Sequence, residues 1–149
     1  MNSKTILWIE EEVDDKMTEF RVYLDMRGYI LDIEATASGA EEKLLNDSMV
    51  YDLVLLDLRI DPGNHEKWIE RHLDGNKKLG LLLLSEVIVT SRYIDSLLVF
   101  SNEYWTAVKD TILECKLSES HFLQKKEAKT PKKLESLILE KFPNMKIHY

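Results

Sequence analysis

Short runs of apolar residues, each closed by a polar or charged side chain, punctuate this chain. Ile6 to Ile9 precede Glu10 and Glu11, Val54 to Leu56 precede Asp57, Leu97 to Phe100 precede Ser101, and Phe122 and Leu123 lead to Lys125. Runs this dense fit strands buried on both faces, as in a parallel sheet covered by helices. Between them the period becomes helical. Val13, Met17, Phe20 and Leu24 recur at helical spacing, and Gly28 supplies a stop. "YILDIEA" alternates and predicts a second strand, while Ser38 and Glu41 stand at capping-box spacing before a helix through Leu44 and Leu45. The third strand is expected over about Val50 to Leu58. Residues 64 to 75 predict a small amphipathic helix with His65, Trp68, Ile69, His72 and Leu73 on one face and Gly75 at its end. Residues 79 to 91 fit two readings: four leucines favour a helix, "VIVT" a strand. "EYWTAVKDTILECK" predicts a helix burying Trp105, Val108, Ile112 and Cys115. Thr130 and Pro131 cap and open a last helix through Leu134, Leu137, Ile138 and Phe142.

Five strands alternating with helices predict one α/β domain over residues 1 to 149, a doubly wound parallel sheet with helices on both faces. Such sheets bind ligands at the carboxyl ends of their strands, where strand order reverses. The polar residues that close the apolar runs would therefore meet at one edge.

Composition excludes several alternatives. No apolar stretch approaches the ~18 residues of a membrane span, and "MNSKTILWIEEE" lacks the pattern of a signal peptide. The single cysteine excludes an internal disulfide and fits a reducing, cytoplasmic compartment. The net charge of −7 argues against a direct nucleic-acid surface. No zinc-ligand spacing occurs, and His65 and His72, two turns apart, fit surface histidines better than a metal pair.

Clustered carboxylates repel one another unless a cation neutralises them, and oxygen ligands suit a hard ion. A hydroxyl and an ammonium opposite would hold the oxygens of an added phosphoryl group. Glu10, Glu11, Asp57, Ser101 and Lys125 together describe a site where an aspartate is phosphorylated with a metal offsetting the charge. Taken singly, each has a plainer reading: Asp57 as a strand-end cap, the glutamates as a solvated run, Lys125 as one of several surface lysines.

"ILWIEEE", "DLVLLDLR", "LLVFSN" and "FLQKK", in this order and at this spacing, resemble the receiver domain of bacterial two-component response regulators over nearly the whole chain. The resemblance implies a flavodoxin-like sheet of order 2-1-3-4-5. It implies Asp57 as phosphoacceptor, Glu10 and Glu11 as metal-binding acids, and the backbone carbonyl of Arg59 as a further ligand. Ser101 and Lys125 would hold the phosphoryl group, and Phe122 would be the rotating aromatic that reports phosphorylation. It also implies Mg²⁺, a histidine kinase or phosphotransfer protein as donor, and a downstream protein reading strand four, the family's helix four that follows it, and strand five. Homodimers through that face occur in the family, and no metabolic turnover is expected. After the last helix only "PNMKIHY" remains, so no output domain is expected.

The chain departs from the family pattern in four places. Glu10 and Glu11 stand for an Asp pair, and each extra methylene adds about 1.5 Å, whereas Mg²⁺ wants near-ideal geometry at about 2.0–2.1 Å; Mn²⁺ or Ca²⁺ would fit the longer arm of Glu11 more readily. Lys126 stands where the family has a cis proline, and a cis bond before a non-proline costs about 2.5–4 kcal/mol, so a reshaped loop is expected. Asn102 replaces a small residue beside the site. Residues 61 to 78 read as an inserted helical segment, in which His65, Trp68 and Ile69 would gate the site or meet a partner, although Trp68 also fits plain core packing. Two functions compete: a receiver phosphorylated on Asp57, and a receiver-like interaction module that works without phosphorylation. A phosphohydrolase would need a further acid or base near Asp57, for which Asp61 is the nearby candidate.

Overall fold

In the computed structural model, which describes residues 3–12 and 17–148, five parallel strands form one sheet of order β2-β1-β3-β4-β5. The strands are β1 (Thr5–Ile9), β2 (Ile30–Glu34), β3 (Leu53–Leu56), β4 (Leu97–Ser101) and β5 (Phe122–Gln124). The helices are α1 (Thr18–Met26), α2 (Ala37–Leu45), α3 (Glu66–Leu73), α4 (Leu79–Glu86), α5 (Trp105–Glu114) and α6 (Pro131–Lys141). The expected doubly wound architecture and strand order are both present.

The pleat explains why the central strands tolerate no polar residue. Leu7, Ile9, Val54, Leu56, Leu97 and Val99 point into one core, with Leu44 of α2, Trp68 of α3, Leu83 of α4 and Val108 of α5. Ile6, Trp8, Leu53, Leu55, Leu98 and Phe100 point into the other, with Phe20 and Leu24 of α1 and Leu134 and Ile138 of α6. Both sets are fully or almost fully buried. At the sheet edge, β2 has no fully buried residue, and Ile30 is half exposed.

Val13, expected to open the first helix, lies outside the described residues; the helical face is carried by Met17, Phe20 and Leu24. Thr130 caps α6, accepting a hydrogen bond from the Lys133 N–H at 3.2 Å. The expected cap of α2 is corrected by two residues. Thr36 is the cap, its hydroxyl accepting from the Gly39 N–H at 3.0 Å, and Ser38 is buried and turned elsewhere. The ambiguous stretch is α4 followed by a one-turn 3-10 helix at Ile88–Thr90. The slot beside β3 is taken by β4, so "VIVT" does not pair there.

The crossover from β3 to β4 holds two α-helices, whereas the described crossovers elsewhere hold one. Along α3 the expected apolar face is also corrected. Trp68 alone is buried, while Ile69, His72 and Leu73 are exposed, Leu73 by 77%. The helix is therefore held by one anchor and by polar ties, not by a stripe. The loop after β5 forms a short 3-10 turn, Lys125–Glu127, without a cis peptide bond.

Candidate functional site

Strand register brings the polar residues to one edge. Ile9 of β1 lies level with Leu56 of β3, and the Asp57 N–H donates to the Ile9 carbonyl at 2.9 Å, so Glu10 and Asp57 leave the sheet side by side. Leu56 lies level with Val99, which sets Ser101 just beyond, and Ser101 lies level with Gln124, the residue before Lys125. No local sequence signal puts these groups together; parallel pairing does.

Lys125 Nζ donates to Glu10 Oε2 at 2.6 Å and to Asp57 Oδ2 at 3.2 Å. Glu10 is fully buried, and the side chains of Asp57 and Lys125 are about nine-tenths buried. One ammonium thus faces two carboxylates in a poorly solvated place. Burial and the Asp57 charge push the Glu10 carboxyl up to about 7, and Lys125 offsets only part of this. Burial lowers the pKa of Lys125, but the charges and hydrogen bonds of Asp57 and Glu10 outweigh it, and the net shift is upward. Asp57 is held from the other side by the Leu58 N–H, which donates to Oδ1 at 2.7 Å.

Above Asp57 lies a small cleft of about 80 Å³, lined by Glu11, Glu12, Asp57, Arg59, Ser101, Asn102 and Glu103. Ser101 is buried, and its Oγ accepts from the Glu103 N–H at 3.2 Å. Glu11 is raised by burial and by the adjacent Asp61 carboxyl. Asp57, Glu11, Arg59 and Ser101 therefore share the cleft, whereas Glu10 sits behind it on Lys125. Among the described residues no group of three His, Cys, Asp or Glu side chains stands ready to hold a metal ion. The oxygen donors that line the cleft still fit a hard divalent cation, because Mg²⁺ is commonly held by one or two carboxylates with waters completing its shell.

Glu103, at the cleft wall, was not anticipated from sequence. Glu103 accepts from Arg59 Nε at 2.5 Å and lies 3.6 Å from Lys78 Nζ, bridging the exits of β3 and β4 and the start of α4. A carboxylate two residues past Ser101 was the available signal, and it reads like any surface acid.

Phe122 is buried with its ring 5.7 Å from that of Trp105 of α5. His65 and Trp68 are tied away from the cleft, to α2. Trp68 Nε1 donates to Glu41 Oε1 at 2.9 Å, Lys67 pairs with the same carboxylate at 2.7 Å, and His65 Nε2 lies 2.7 Å from Glu42. Buried Ser38 accepts from the His65 N–H and donates to the Pro62 carbonyl. Gly63 makes this docking possible: its φ is +82°, and a Cβ there would lie 2.8 Å from both Ser38 and Thr36.

No family model and no curated protein matches the chain. Solved structures do. A CheY-like response regulator receiver domain protein from Methanospirillum hungatei JF-1 superposes with a TM-score of 0.68 at 18% identity, over 97% of either chain. The non-phosphorylated HemR receiver domain from Leptospira biflexa gives 0.54 at 23% identity, over 98% of this chain and 99% of its own. The beryllofluoride-activated NtrC4 receiver domain dimer gives 0.62 at 17%, over 95% and 98%. The chain has the fold of response-regulator receiver domains.

Proposed function

We propose that the chain is a phosphorelay signalling receiver that accepts a phosphoryl group on Asp57. The observation that carries this reading is the placement of Lys125 against Asp57 at 3.2 Å, at the carboxyl edge of the sheet, with Ser101 lining the cleft above. In the transfer an Asp57 oxygen forms a bond to phosphorus as the donor's nitrogen–phosphorus bond breaks, and the donor imidazole keeps the electron pair and takes up a proton. The donor is a histidine kinase or phosphotransfer protein. Glu11, Asp57 and the Arg59 carbonyl would hold Mg²⁺, with Mn²⁺ or Ca²⁺ as the alternatives that suit the longer glutamate. The ion would supply charge neutralisation while phosphorus approaches two carboxylates. Ser101 and Lys125 would take the phosphoryl oxygens, which requires Lys125 to shift its share of bonding from Glu10 toward Asp57. Phe122 and Trp105 would pass the change to a downstream protein at the face of β4, α5 and β5.

Intact mass after incubation with a small phosphodonor and Mg²⁺ tests this. One added phosphoryl group in the wild type and none in Asp57→Asn is the expected result. No gain with Mg²⁺ or Mn²⁺ overturns it. A second reading, an interaction module that works without phosphorylation, draws support from the engagement of Glu10 by Lys125 and from the lack of a three-acid metal group among the described residues. On that reading Asp57→Asn leaves partner binding unchanged.

A further inference from the structure

Beside the Asp57 cleft opens a groove of about 450 Å³, lined by Arg59, Lys77, Lys78, Leu81 and Leu82 together with Gly75 and Asn76. No carboxylate is among these residues, although the chain carries 27 acids against 20 Lys and Arg. The side chains that line the groove are thus opposite in sign to the molecule as a whole, while Glu11 and Asp61 lie in the neighbouring hollow on the far side of Arg59 and Lys77. Its floor is apolar: Leu81 and Leu82, in the first turn of α4, are partly buried against the core. Lys77 at the rim is exposed and in no ion pair with a described residue. At the groove's edge one carboxylate already sits on its cations, for Glu103 reaches Arg59 at 2.5 Å and Lys78 at 3.6 Å. This internal contact displays the chemistry that the groove accepts.

We propose that the groove docks an acidic segment of a partner protein, with carboxylates on Lys77 and Lys78 and an apolar side chain on Leu81 and Leu82. Charge complementarity selects that occupant over a basic or purely apolar one. The site lies at the C-terminal end of the α3 segment. His65 and Trp68 act there as anchors that hold the Gly75–Lys78 connection in place, and the docking surface is that connection with α4. Arg59 lines both groove and cleft. A bound carboxylate competes with Glu103 for Arg59 and Lys78, and Glu103 lies next to the Ser101 hydroxyl contact. Docking is thereby connected to the phosphoacceptor site, but it does not depend on phosphorylation of Asp57.

The test is titration of the full chain with a capped acidic pentapeptide, DELDE, followed by backbone amide shifts. Saturable, salt-sensitive shifts centred on Arg59 and residues 75 to 82, with Glu103 moving as it is displaced, are expected, and binding should be at least tenfold weaker in the double variant Lys77→Glu, Lys78→Glu. The amide spectrum of that variant verifies its fold. A KKLKK peptide should give no shifts at residues 75 to 82, and Asp57→Asn should bind DELDE like the wild type. Shifts centred on the lysine-rich stretch 125 to 133, undiminished binding by the double variant, or no shifts at millimolar peptide each overturn the proposal. Inorganic phosphate reproducing the whole pattern would overturn the choice of an acidic segment.

Discussion

At the scale of single residues, the charge balance around Lys125 sets how the site responds to pH. Glu10 has an ordinary value of 4.5 and is pushed up to about 7 in the fold, mainly by burial and then by Asp57. In that window the folded state holds a proton that the unfolded chain has released. The stability that Glu10 contributes is therefore greatest at and below pH 4.5, falls as pH rises through the window, and stays low above about 7. Denaturant unfolding across this range, with chelator present, should show the decline, and Glu10→Gln should flatten it. An unchanged slope in the variant would assign the dependence to other groups. Gly80 marks another residue-scale constraint. A Cβ there would run into the Asp57 carbonyl oxygen and lie 2.7 Å from Leu58 Cα. Gly80→Ala should cost about 1–3 kcal/mol by overpacking, and amide shifts should move at Asp57 and Leu58. A variant as stable as the wild type would mean that α4 can slide away from β3.

At the scale of elements, α3 is the unusual part, since it is eight residues long and buries only Trp68. An isolated helix of that length does not hold itself together. Its stability must come from Trp68, from Glu41 and Glu42 of α2, and from the Arg71–Glu86 ion pair to α4. Lys67 and Arg71 also lie 4.8 and 5.3 Å from the Trp68 ring centre. Trp68→Ala should cost about 3–5 kcal/mol, with loss of amide protection over residues 64 to 76 before the rest of the chain. Uniform loss of protection would show that α3 is not a separable layer. By contrast, α6 depends on its own cap, and Thr130→Ala should cost about 1 kcal/mol in thermal or urea unfolding.

At the scale of the molecule, β1, β3 and β4 each supply residues to both cores. Neither face can melt while the other keeps its packing, because the same strands carry both. Tryptophans report the two sides separately: Trp8 lies in the core under α1 and α6, while Trp68 belongs to the opposite core and Trp105 packs against it. Tryptophan fluorescence of Trp8→Phe, which leaves Trp68 and Trp105 as reporters of one face, should therefore unfold in one transition, coincident with far-UV circular dichroism. Separate midpoints would mean that the faces are independent. Among the described residues no helix is long and apolar enough to cross a membrane.

Much of the architecture was legible in the chain because burial on both faces leaves a strong local mark. "ILWI", "LVLL" and "LLVF" admit almost no polar residue, and the helices between them keep their period. The start of α6 was legible for the same local reason, Thr130 and Pro131 being adjacent in sequence. What tertiary structure decided depends on partners distant in sequence. Ser38 looks like a cap until Pro62 and His65 claim its hydroxyl. The 79–91 stretch has no preferred period, and the packing of Leu79, Leu83 and Leu84 into the core over β3 goes with a helix there. The polar ends of the apolar runs pointed to one edge, yet the pairing of Lys125 with Glu10, 115 residues apart, is set by parallel register and by desolvation. Amino-acid sequence by itself determined which segments must be buried, because hydrophobic periodicity is a local property. Which polar groups meet in the space that burial leaves was decided by the assembled sheet, because a hydrogen bond or an ion pair is worth its desolvation only where a partner is already in place.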